Sequence, residues 1–128
     1  MSYYFSKTVK GSFEEVLEKV TVSLKNEGFG ILTEIDVKET LKKKLDVDFG
    51  NYKILGACNP PFAYEALQAE DKIGTMLPCN VVVQEKGEND IEVAAVDPIA
   101  SMKAIENQEL YGIAVQVQEK LKNIVHNL

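Results

Sequence analysis

Two stretches of the chain carry apolar residues at helical spacing, and five carry them in short β-type runs. Phe13, Val16, Leu17, Val20 and Leu24 recur every three or four positions, which predicts an amphipathic helix. Ser12-Phe13-Glu14-Glu15 opens it as a capping box, and Gly28 supplies the stop. From Gln108 onward, Leu110, Ile113, Ala114, Val117, Leu121 and Val125 define the apolar face of a second, longer helix. Tyr3 to Val9, Phe29 to Ile35, Tyr52 to Ala57, Cys79 to Glu85 and Ile91 to Val96 are rich in β-branched and aromatic residues and predict strands. The last two are joined by Lys86-Gly87-Glu88-Asn89-Asp90, a hairpin connection.

Shorter helical signals lie between these elements. Asp36, with Glu39 three positions on, caps a brief helix through Val37, Leu41 and Leu45. Asn59 followed by Pro60-Pro61 starts another, because proline fits a first turn whose amides have no partner. Phe62, Ala66 and Leu67 give that helix an apolar side, and Asp71-Lys72-Ile73-Gly74 is expected to end it. Asp97-Pro98 breaks the fifth strand, and Ile99 to Ile105 is expected to add a short helical turn. With no repeat and no linker, residues 1–128 read as one α+β domain. The expected architecture is a two-layer sandwich: an antiparallel or mixed sheet of about five strands against two long helices, with one or two short helices besides. Such a sheet has open edges and an open face, so a homodimer that closes two sheets together is expected.

Composition narrows the chemistry. There are 20 Asp+Glu against 14 Lys+Arg, a formal charge of −6, which argues against nucleic acid or an anionic membrane surface as partner. All the basic residues are lysine, so no bidentate guanidinium fork is available for phosphate or carboxylate. The run Lys42-Lys43-Lys44 reads as a solvated face near a helix C-terminus, where the dipole favours cations. A single histidine, His126, makes a catalytic triad or a multi-histidine metal site within one chain improbable. No apolar run reaches the ~20 residues of a membrane helix, and no signal peptide is evident, so a reducing cytoplasm and free thiols are the expectation.

Chemistry-bearing residues concentrate between Ile54 and Val83. Cys58 follows a strand and stands just before the Asn59-Pro60-Pro61 helix start, where amide dipoles favour a thiolate. Cys79 follows Pro78 and opens the next strand; if strands three and four are neighbours, both sulfurs reach one sheet edge. Taken together, Cys58, Asn59, Pro60, Tyr64 and Cys79 form a candidate ligand site, with Cys58 and Cys79 as two soft metal ligands that would need further ones. Asn59 either caps its helix or turns its amide into a pocket, and Pro60 and Pro61 set backbone geometry in a trans or cis form. Glu65 reads as an exposed helix residue and Asp97 as a turn residue. Three functional readings remain open. One is a non-catalytic small-molecule or metal binding module. Another is a thiol-based redox enzyme or sensor with Cys58 reactive and Cys79 resolving. The third is a purely structural or interaction domain. Neither a catalytic set nor a cofactor is specified.

The segments Gly28-Phe29, Glu34-Ile35-Asp36-Val37, Ile54-Leu55-Gly56-Ala57-Cys58-Asn59-Pro60 and Leu77-Pro78-Cys79-Asn80-Val81-Val82-Val83 resemble those of the bacterial family called domain of unknown function 302. The resemblance continues through Asp97-Pro98 and the final helix. It implies an α+β fold and a dimer, and it brings no activity, substrate or catalytic residue.

Overall fold

The computed structural model describes residues 2–128. Its chain order is β1 (Tyr4–Lys10), α1 (Phe13–Asn26), β2 (Gly30–Asp36), α2 (Val37–Leu45), β3 (Tyr52–Cys58), α3 (Pro60–Ala69), a 3-10 segment (Asp71–Met76), β4 (Cys79–Gly87), β5 (Asp90–Val96), α4 (Pro98–Ser101) and α5 (Gln108–His126). The strands form one antiparallel sheet in the order β1-β5-β4-β3-β2, so the sheet is antiparallel rather than mixed.

Register assigns the faces. Leu55 pairs with Val81 and Ala57 with Cys79, while Val83 opposes Val93 and Phe5 opposes Ala95. These alternate positions point to one side, because strand side chains have period two. They pack there against Val16, Val20 and Leu24 of α1 and Val117, Leu121 and Val125 of α5, and together these residues form the main core. The predicted two-layer sandwich is therefore present.

Local signals act as the sequence implies. Ser12 Oγ accepts from the Glu15 amide and Glu15 Oε1 accepts from the Ser12 amide, completing the capping box. Asp36 Oδ1 accepts from the Glu39 amide at the start of α2. In the lysine run, Lys42 and Lys43 pair with Asp46 and Glu39 at 3.0 and 3.3 Å on an exposed surface, where such pairs contribute little. Gly28 has φ +87°, and a Cβ there would lie 3.1 Å from Asn59 Nδ2, so the residue is required twice over.

Two expectations shift. Asp71-Lys72-Ile73-Gly74 does not simply end α3: the helix stops at Ala69 and the chain continues as the 3-10 segment, which buries Ile73. The turn after Asp97-Pro98 is shorter than residues 99–105, since α4 closes at Ser101 and two isolated turns follow, Lys103 N to Ala100 O and Ile105 N to Met102 O.

β2 carries one further irregularity. Ile31 pairs with Ala57 and Thr33 with Gly56, leaving Leu32 as an extra residue in a bulge. The bulge delivers Leu32 to the edge where α3 begins.

Candidate functional site

The neighbouring of β3 and β4 places Cys58 and Cys79 at one end of the sheet, in the lining of a single cavity of about 330 Å³. Phe29, Ala57 and Cys79 form its floor where β2, β3 and β4 end. One wall is α3, through Phe62, Ala63, Ala66 and Leu67. The facing wall is the first half of α5, through Leu110, Ile113, Ala114 and Val117. Leu77, Pro78, Pro98 and Met102 close the remaining side, and Leu32 of the bulge lies at the rim.

The cavity exists because small side chains face one another. Ala63 and Ala66 on α3, Ala114 on α5 and Gly74 in the 3-10 segment leave space that larger residues would fill. Asn59 is the one polar side chain in the lining besides the two thiols, so the space is otherwise walled by carbon.

Asn59 occupies the N-cap position of α3 but makes no capping bond with its side chain. Nδ2 instead donates to the Glu27 carbonyl at 3.3 Å, tying the end of α1 to the start of α3. It is 9% exposed, the one buried polar residue among the described residues. Pro60 and Pro61 fill the first helical positions, and the cis peptide bond lies elsewhere, between Leu77 and Pro78. The Pro78 ring packs on Gly56, where a Cβ would come within 2.7 Å of Pro78 Cγ.

The thiols differ in setting. Cys79 is buried, and that burial, with a smaller contribution from the neighbouring Cys58, pushes its thiol up to about 11. Cys58 is half-buried, and both cysteines are free thiols. Among the described residues no group of three or more His, Cys, Asp or Glu side chains converges. Among the described residues Cys58 and Cys79 thus have no third His, Cys, Asp or Glu beside them.

Of the five residues predicted as a site, the cavity brings together Cys58, Asn59 and Cys79. Pro60 stays exposed at the first turn of α3 and does not line it. Tyr64 is 64% exposed on the outer side of α3, where Gln68 Nε2 donates to its hydroxyl at 3.1 Å. The reason is helical phase: Phe62, Ala63, Ala66 and Leu67 take the inward stripe, and position 64 falls outside it. Glu65 is exposed, and Asp97 caps α4 by accepting from the Ile99 amide at 3.0 Å. His126 lies at the far end of α5, with its carbonyl accepting from Lys7 Nζ at 3.0 Å.

Sequence reasoning missed the second wall. Leu110, Ala114 and Val117 were legible as a helix face expected to pack into core, but not as the side of a cavity. The available signal was the pairing of small residues at helical spacing, Ala63 with Ala66 on one helix and Ala114 on the other.

Among the described residues no helix is long and apolar enough to cross a membrane. No curated protein matches the chain. A solved structure described as the crystal structure of uncharacterized conserved protein DUF302 from Bacillus stearothermophilus is similar over 98% of each chain, with a TM-score of 0.90 and 28% sequence identity. Residues 5–128 match the family described as Domain of unknown function DUF302. The chain belongs to that family.

Proposed function

We propose that this protein is a non-catalytic binding module for a small apolar molecule, held in the cavity between α3 and the first half of α5. The observation that carries the reading is a carbon-walled space of about 330 Å³ with one polar side chain, Asn59, at its edge. Ligand sites are concave, mostly apolar and supplied with a few placed polar groups, and this volume falls at the lower end of their ~300–1,000 Å³ range. Apart from the two thiols, no titratable side chain lines the space, so it lacks the acid, base or nucleophile pair that a catalytic site requires.

The test is calorimetric titration with indole, a compact apolar probe, on the wild type and on Ala63→Leu, which places a larger side chain in the wall. Saturable binding by the wild type, lost in the variant while the melting temperature holds, is the expected result. No saturable binding, or equal binding by both, overturns the reading.

The redox alternative is less well supported. A thiol held near 11 is protonated at neutral pH, and a resolving cysteine acts as thiolate. We also propose that two copies associate through the sheet face turned away from α1 and α5. Tyr4, Tyr52, Val82, Ala94 and Val96, with Asn80, Gln84 and Glu92 among them, line a shallow depression of about 420 Å³ there, a mixed surface suited to a self-complementary contact. A sedimentation mass equal to the monomer's 14.2 kDa would remove this part of the reading.

A further inference from the structure

A second cavity, of about 450 Å³, lies across the α4–α5 connection from the first. The two share three wall residues: Met102, Leu110 and Ala114. Leu110 and Ala114 are fixed on α5, whereas Met102 follows α4 on a flexible, unbranched side chain, the kind that re-packs readily around a guest. The partition between the two spaces is thus the movable Met102 thioether beside the fixed Leu110 and Ala114.

The second cavity is the more polar of the two. Asp97, Lys103, Asn107 and the Tyr111 phenol line it, along with Ser2. Three of these are already committed, Ser2 by donating from Oγ to the Tyr4 carbonyl at 2.8 Å. Asp97 accepts from the Ile99 amide and from Gln118 Nε2, the latter at 3.1 and 3.2 Å to its two oxygens. Asn107 caps α5 through Oδ1 and donates from Nδ2 to the Ala69 carbonyl at 2.9 Å. Lys103 is different: its side chain forms no ion pair or hydrogen bond among the described residues, and it is exposed at the mouth.

The geometry points to an amphipathic guest, a straight-chain monocarboxylate whose tail occupies the first cavity, passes Met102, and sets its carboxylate beside Lys103 in the second. This deepens the proposed binding reading and rests on it. Lys103 and the Tyr111 hydroxyl are the lining donors without a partner among the described residues, and Lys103 is the charged one, so it selects an anionic head. The Asp97 charge and the net charge of −6 oppose an anion, and any carboxylate preference must therefore come from Lys103.

The experiment titrates the full chain with unbranched carboxylates from hexanoate to dodecanoate, with their methyl esters, and with indole. Affinity for the carboxylates should rise about fourfold per added methylene as the tail extends through the partition. Each carboxylate should exceed its ester by about fivefold. Lys103→Met should abolish or invert that preference, Lys103→Arg should keep it, and neither should move indole binding. A chain-length gain that stops at hexanoate, or a preference that survives Lys103→Met, overturns the inference. If indole binds while the longer chains gain nothing, this inference fails alone; if neither binds, the binding reading fails with it.

Discussion

The two halves of α5 meet very different surroundings. Its second half sends Leu121, Ile124 and Val125 into the sheet core, where Val83, Ile91 and Val93 are also fully enclosed. Its first half faces α3 across Ala63, Ala66 and Gly74, and there the packing opens into two cavities that share Leu110 and Ala114. One helix thus serves as core at one end and as cavity wall at the other. The difference lies in the size of the facing side chains, because α1 and the sheet offer branched residues where α3 offers alanine.

The comparison is broken or sharpened most strongly by paired truncations. Leu121→Ala should cost about 3–4 kcal/mol in denaturant unfolding, since a new void opens in closed packing. Leu110→Ala should cost nearer ~2 kcal/mol, because the removed atoms already border open space. Equal losses would mean that the α3 end is as tightly packed as the core. Gly56→Ala should cost about 1–3 kcal/mol, because the new methyl meets Thr33 Oγ1 and the ring of Pro78. Thr33→Ala should not rescue it, since Pro78 still stands 2.7 Å away.

A pH titration of stability probes the cavity floor. The Cys79 thiol ionises near 11 in the folded state against an ordinary value of 9.0, so the folded state holds its proton longer than the unfolded chain does. Its contribution, on the order of 2 kcal/mol, is fully present below pH 9 and is lost as pH climbs to about 11. Cys79→Val should flatten the alkaline slope over that window. The smallest effect belongs to Asn59→Ala, which removes the donor to the Glu27 carbonyl and should lower stability by about 1 kcal/mol.

How much of this was legible in the sequence depends on the range of the forces involved. The capping box at Ser12 and Glu15, the Asp36 cap, the Pro60-Pro61 start and the long stripe of α5 all act within a few residues, and the sequence marks them directly. The meeting of Cys58 and Cys79 was conditional on β3 and β4 pairing, a long-range fact. Asn59 was read as a cap or a pocket residue, and the structure puts its side chain to a third use, bridging to Glu27 while lining the cavity. Tyr64 was placed by nearness in sequence, and helical phase turned it outward. The second cavity left no sign at all, because its walls join Ser2 to residues 97–114, a proximity that the β1–β5 pairing creates.

That pairing also bears on how the molecule comes into being. Tyr4 pairs in register with Val96, so β1 has no strand partner until residues 90–96 have been made. Such non-local pairing slows folding, because the entropy of closing a long loop is spent before any contact returns it. The β4–β5 hairpin and the α1 core can form beforehand from nearer parts of the chain. In the folded state β1 lies on the edge of β5, and Lys7 Nζ donates to the backbone oxygens of His126 and Leu128 at 3.0 and 2.7 Å. The helix α5 is thereby secured by the strand β1, through contacts that span 119 and 121 positions of sequence.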